Sequence, residues 1–237
     1  MKYLLSITIA VAALCSLTSC EKVVGDGPVV TETRSVREFT ELEFGVPGEL
    51  EFIESEQQQI VIEAQRNIAD VIETYVSGNE LRIKVKDNKR IRTSDPVRII
   101  VQAPNVHSFV VSGSGSMTID NIQPTDMMRL KLSGSGKIVA QKLESESLEA
   151  RISGSGSIEV LEGSVDHEDV NISGSGSVNL VDVMAKKAST QTSGSGNIRL
   201  NVSDELDVKI SGSGDVFYKG NPVVNVHVSG SGRLVKL

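Results

Sequence analysis

The 237-residue chain has no Trp, only three Tyr and only five Phe, so it offers little aromatic surface for stacking on sugar rings. Cysteine is limited to Cys15 and Cys20. Positive charge is in deficit as well, with 24 Lys and Arg against 31 Asp and Glu and a formal net charge of -7. Binding to nucleic acid requires a basic face rich in Lys and Arg, so no nucleic-acid partner is expected. The apolar run from Leu4 to Leu14 falls short of the roughly 20 residues that span a bilayer. The three histidines, His107, His167 and His227, fall in different repeats at different offsets. They form no stacked column and read as solvated surface groups.

The amino terminus follows a pattern of its own. A short basic start, Met1-Lys2-Tyr3, leads into the apolar run and then into Leu17-Thr18-Ser19-Cys20. This resembles the bacterial lipoprotein signal, in which the Cys becomes the first mature residue and is acylated. The resemblance implies a signal peptide over 1–19, lipid attachment at Cys20 and a membrane partner reached through that anchor. Cys15 would leave with the signal, so the mature chain could form no internal disulfide. Removing Lys2 leaves 23 basic and 31 acidic residues, a net charge near -8. Residues 20–30, with Gly25, Gly27 and Pro28, read as a flexible tether.

The rest of the chain is dominated by seven copies of Ser-Gly-Ser-Gly, beginning at Ser112, Ser133, Ser153, Ser173, Ser193, Ser211 and Ser229, at spacings of 21, 20, 20, 20, 18 and 18. A fixed period near 20 is the signature of a solenoid, in which each coil buries its apolar face only against its neighbours. At one and three residues before each motif and five and seven after its first Ser, 25 of 28 positions are apolar; the exceptions are Thr190, Thr192 and Lys236. At the interleaved positions, two before and four and six after, only Val110, Val139, Phe217 and Val235 of 21 are apolar. That contrast at period two specifies half-buried strands and excludes helix in the repeats.

In this phase both Ser of a motif point outward, and both Gly point inward or sit at a corner, where glycine permits positive φ and close backbone approach. The structural corners are Gly113 and Gly115, Gly134 and Gly136, Gly154 and Gly156, Gly174 and Gly176, Gly194 and Gly196, Gly212 and Gly214, and Gly230 and Gly232. A phosphate loop is excluded, because it needs a Lys and a following helix. Calcium-binding Gly repeats need Asp in a nine-residue period, and only the copy at Ser211 is followed directly by Asp, Asp215. Seven coils stacked about 4.8 Å apart make a rod of about 30 Å.

Residues 31–104 differ. Strands are expected near Arg37–Phe44, Glu49–Ile53, Gln59–Ala64 and Val97–Val101, with a hairpin of Ile72–Val76 and Leu81–Val85 around Ser77-Gly78-Asn79. Ile68, Val71, Ile72 and Tyr75 also fit a turn of helix. This half reads as an amino-terminal cap on the repeats of 105–237, the two forming one continuous domain.

The repeated corners, the lipobox, and the segments Phe39–Leu42, Ile60–Glu63 and Asn79–Val85 together resemble the autotransporter-adhesin, head GIN domain family, common in Bacteroidetes lipoproteins, over about residues 36–232. The resemblance implies an all-β, right-handed single-stranded β-helix similar in outline to pectin lyases, a role in adhesion, no cofactor and no enzyme activity. No catalytic residue carries over from it.

Carboxylates cluster at Glu144, Glu146 and Glu149, at Glu159, Glu162, Asp166, Glu168 and Asp169, and at Asp204, Glu205 and Asp207. Paired carboxylates can serve glycosidases or hold calcium, but these occupy outward or loop positions that any solenoid fills with charge, and neither a catalytic pair nor a metal site is assigned. Two residues before the motifs, Lys131, Arg151, Lys209 and His227 form a mildly basic outward stripe, a candidate surface for an acidic glycan or lipid head group. The last motif runs into Arg233–Leu237 without a polar cap, which points to a homo-oligomer through the C-terminal coil. Two functional readings follow. One is a surface adhesin on the outer membrane that binds glycans or proteins; the other is a structural or stress-associated lipoprotein facing the periplasm.

Overall fold

The computed structural model describes residues 21–120 and 122–237. The expected signal segment and Cys20 lie outside the described residues. The amino-terminal half holds β1 (Glu21–Val24), β2 (Val29–Arg34), β3 (Glu41–Gly45), β4 (Glu49–Glu54), β5 (Gln59–Gln65), the short helix α1 (Arg66–Ala69), β6 (Ile72–Ser77), β7 (Glu80–Val85), β8 (Lys89–Arg92) and β9 (Arg98–Ala103). The repeats hold β10 (Ser108–Gly113), β11 (Ser116–Ile119), β12 (Thr125–Gly134), β13 (Lys137–Ala140), β14 (Leu143–Gly154), β15 (Ser157–Val160), β16 (Gly163–Gly174), β17 (Ser177–Gly194), β18 (Asn197–Gly212), β19 (Val216–Lys219), β20 (Val223–Gly230) and β21 (Leu234–Lys236).

The repeats stack as a parallel β-solenoid. The strand before each motif pairs with its counterpart one coil away, so that Ser133, Ser153, Ser173, Ser193, Ser211 and Ser229 lie in one register. Alternation of burial breaks at the corners. In β16 it runs buried at Val165, exposed at Asp166 and His167, and buried again at Glu168. The ladder skips the same place, passing from Val165 to His167 in its pairing with the coil below. Each full coil therefore has three straight segments: one of eight residues that ends on the first Ser-Gly of the motif, one of four after the motif and a short third one.

The parallel ladder continues into the amino-terminal half. β10 pairs in parallel with β3, and β3 with β7; β11 pairs with β4, and β4 with β9. Residues 41–54 and 80–103 are thus coils of the same stack, and they lie in reverse of their chain order. The chain builds the second coil, drops back to build the first, and then climbs into the repeats. The core is correspondingly continuous, from Leu42, Leu50 and Phe52 through Phe109 to Ile210 and Val216. Phe52 and Phe109 meet edge-on across the junction, with ring centroids 4.9 Å apart.

Beneath the first coil the direction changes. β5 runs antiparallel to β9, β2 to β5 and β6 to β7, while buried Ile68 and Ala69 of α1 close the end of the core. Antiparallel strands end a parallel stack here without presenting an edge that a further coil would fit. The hairpin around Gly78 forms as expected, and the helical turn falls at Arg66–Ala69.

Two expectations need correction. The segment expected to be a tether is ordered: β1 pairs in parallel with β8 and β2 pairs with β5. Its Gly and Pro residues mark only the connection at Gly25–Pro28, whereas Val23 packs on the core and Val29 to Arg34 follows a strand's alternation. Glu168 is the second correction. It is not an outward or loop carboxylate but an inward side chain with 0% exposure.

Candidate functional site

The two glycines of each motif do different jobs. The first takes positive φ, as at Gly154 (127°), and turns the chain out of the long strand. The second is buried against the coil below. A Cβ on Gly156 would strike the Gly136 carbonyl oxygen and the Leu132 side chain. The serines between them stay at the surface. The motif is a stacked corner, held by backbone hydrogen bonds such as Ser155 N–H to the Gly134 carbonyl at 2.9 Å.

The sequence-expected stripe is assembled by the ladder. Lys131, Arg151, Asn171, Gln191, Lys209 and His227 lie opposite one another in successive coils. Beside them runs a second outward row, Arg129, Glu149, Asp169, Ser189, Asp207 and Asn225, set by the same register. Glu149 pairs with Arg129 at 3.2 Å, with Lys131 at 3.9 Å and with Arg151, and Arg151 also lies 3.8 Å from Asp169. Around Lys131 and Arg151 the face is therefore a mutually neutralised array of charged and amide groups rather than a basic strip, while Lys209 enters none of these pairs. A shallow depression of about 380 Å³ opens on it by Arg151, Asn171 and Gln191.

A second concavity, about 680 Å³, runs along the corner at the short third segment. Its rim carries Asp126, Glu144, Glu146, Asp166 and Asp204, and its lining includes Val165 and Met184, the latter 61% exposed. Lys186 hydrogen-bonds Asp166 at 2.7 Å. This bond, and then the charges of Asp166 and Asp204, hold its ammonium pKa above the ordinary lysine value. Among the described residues no group of three or more His, Cys, Asp or Glu is arranged to hold a metal ion. His167 lies across from Ser147 and Lys187, and His227 from Lys209. The histidines share no site.

The post-motif face carries Lys137, Glu159 and Asn179. Glu159 accepts a hydrogen bond from Asn179 Nδ2 at 3.2 Å and lies 3.2 Å from Lys137. The Asn179 bond, and then the Lys137 bond, hold its carboxyl below the usual range.

Glu168 is the feature that inspection of the sequence missed. Its neighbours in the adjoining coils are Leu148 and Ala188, and neither carboxyl oxygen has a hydrogen-bond partner. Burial pushes its pKa well above the normal glutamate value. The signal was available five residues before each motif, one step beyond the positions counted. There the sequence reads His107 at the first motif and then Met128, Leu148, Glu168, Ala188, Leu206 and Val224. Thr190 and Thr192, the exceptions to the apolar pattern, are also buried, and the Thr192 hydroxyl has no partner.

A parallel stack of coils closed at one end by antiparallel strands, with its polar groups repeated along lateral faces, is a β-solenoid. The family described as "Putative auto-transporter adhesin, head GIN domain" matches residues 38–222, and the chain belongs to that family. Solved structures share the fold. A "putative adhesin" from Bacteroides fragilis aligns with a TM-score of 0.85 at 23% identity, covering 91% of this chain and all of that one. A "putative lipid binding protein" from Parabacteroides distasonis gives 0.74 at 26% identity over 92% of this chain and all of that one. A "putative adhesin" from Parabacteroides merdae gives 0.74 at 20% identity over 92% of this chain and 99% of that one. No curated protein matches the chain.

Proposed function

We propose that this protein is a lipid-anchored adhesin of the outer membrane, held through Cys20 and displayed on the cell surface, that binds glycans or proteins by contact and carries out no catalysis. Membership of the adhesin family carries the reading. The face of Lys131, Arg151, Asn171, Gln191 and Lys209 is the surface we assign to the ligand. Its hydrogen-bonding groups repeat at the coil spacing of about 4.8 Å, which suits an extended, repetitive ligand. Because Lys131 and Arg151 are paired with Glu149 and Asp169 on this face, binding there rests on many weak polar contacts and not on a strong field.

That same pairing favours a second reading, a periplasm-facing structural or envelope-stress lipoprotein whose lateral faces are simply solvated. Protease accessibility separates the two. On intact cells the adhesin is cleaved by added protease, while the periplasmic scaffold is protected until the outer membrane is permeabilised. If surface exposure holds, Arg151→Ala should weaken retention on the glycan or matrix protein bound. Unchanged retention would move the ligand to another face.

A further inference from the structure

We propose that the outermost coil, β20 with β21, docks a second copy of this chain in a two-fold, end-to-end dimer whose β20 strands pair antiparallel about Val226. The register places Val224, Val226 and Val228 above Leu206, Val208 and Ile210. Those three are fully buried or nearly so, whereas Val226 is 48% and Val228 41% exposed. The core-facing row thus reaches the end of the stack uncovered. Among the described residues β20 pairs with β18 alone, and its outer edge carries no strand.

The two ends of the molecule treat their edges differently. At the amino-terminal end Arg34 donates to the carbonyls of Ile72 at 2.6 Å and Ala69 at 3.0 Å, and Arg37 donates to that of Val76 at 3.0 Å. Guanidinium groups thereby cover the backbone acceptors of β6, and β2 carries Glu32 and Arg34. Charge of this kind blocks strand addition. β20, Val-Val-Asn-Val-His-Val-Ser-Gly, contains no Asp, Glu, Lys or Arg.

With one end blocked, head-to-tail growth has no acceptor, and an open edge can pair only with its own kind. Such a contact is isologous and closes at two chains. Antiparallel pairing centred on Val226 sets Val224 opposite the partner copy's Val228 and keeps every core-facing Val on the same side, since side chains alternate along a strand. The two cores then become one. No charged side chain of β20 enters the seam, and Lys236 of β21 is engaged by Asn221 Oδ1 at 2.6 Å.

The test is sedimentation equilibrium of the full chain in density-matched detergent. The expected mass is two chains, falling to one for Val226→Lys with the far-UV circular dichroism unchanged. A single-chain mass at the highest attainable concentration overturns the dimer, a mass that keeps rising overturns its closure, and a Val226→Lys chain that still pairs overturns its location. Should Val226→Lys fail to fold, Val226→Cys decides. Mild oxidation should link it into a dimer beyond the level of the parent chain, while Leu161→Cys, exposed on the side of the rod, should not link. No excess linkage at 226 overturns the proposal. These outcomes are independent of where on the cell the protein resides.

Discussion

At the scale of single residues, the most consequential side chain is Glu168. A carboxyl with no hydrogen-bond partner inside an apolar stack resists ionisation, and its raised pKa follows from burial alone. The sign of the pH dependence follows. Between the ordinary glutamate pKa and the raised one, the folded protein holds a proton that the unfolded chain has released, so stability falls as pH rises through that window. Replacing Glu168 with Leu, the residue found at Leu148 and Leu206 in the same row, should stabilise the protein by about 1–4 kcal/mol near neutral pH. The gain should shrink toward acid pH. Urea titrations of both proteins at pH 5 and pH 8 measure this, and a difference that does not change with pH would contradict a neutral buried carboxyl. The corner glycines make the opposite kind of prediction. Gly154→Ala places a Cβ where φ is strongly positive and against the Gly134 carbonyl, a strain of about 1–3 kcal/mol before any clash. Gly156→Ala keeps an ordinary φ but collides with the Gly136 carbonyl and Leu132. Both should lower the unfolding midpoint, and an unchanged midpoint for either would remove its assigned role.

At the scale of the element, the unit is the coil of about 20 residues, and a solenoid's stability is close to a sum over coils and their interfaces. Deleting 153–172 joins Ile152 to Ser173 and leaves corner over corner. It should yield a folded, cooperatively unfolding protein with β-sheet circular dichroism. Deleting 153–162 removes half a coil, displaces every corner above the cut and should abolish that transition. The repeats were legible because a strand buried on one side writes its period directly into the apolar positions, and the corner glycines repeat at the same interval. The amino-terminal coils carried no such motif. Glu49–Ile53 and Gln59–Ala64 could be read as strands, but nothing local says that β4 lies parallel to β9 and β5 antiparallel to it. That distinction depends on pairing between residues far apart in the chain, such as Glu49 with Arg98 and Gln59 with Gln102. β1 is hidden for a related reason, since four residues followed by Gly25 read as loose chain until β8 is there to pair with them. On the candidate surface the row of Lys131 and Arg151 followed from the period. Its neutralisation by Glu149 was also set by the period, two residues away on the same side, but appears only when neighbouring rows are read together.

At the scale of the whole molecule, the two ends of the stack are unequal, and dynamics should reflect this. The amino-terminal end is closed by antiparallel strands and α1, and its inward residues Leu42, Ile60 and Ile68 are all 0% exposed. The other end terminates in a coil whose inward valines are partly open to water. A one-dimensional stack loses structure from the end where a coil has one neighbour instead of two and an incompletely buried core. In the single chain, backbone amides of β20 and β21 should therefore exchange with deuterium fastest among the repeats, those of β18 more slowly, and those of β14 and β16 slowest. If two chains join at β20, that strand gains a neighbour on its free edge. Its exchange should then slow as protein concentration rises, while exchange in β14 stays constant. Hydrogen exchange read by mass spectrometry across a concentration series tests both statements at once. A graded profile at every concentration would show an end that frays and stays free. A flat profile in dilute protein would mean that the coils unfold as one unit, against the picture of a stack stabilised neighbour by neighbour.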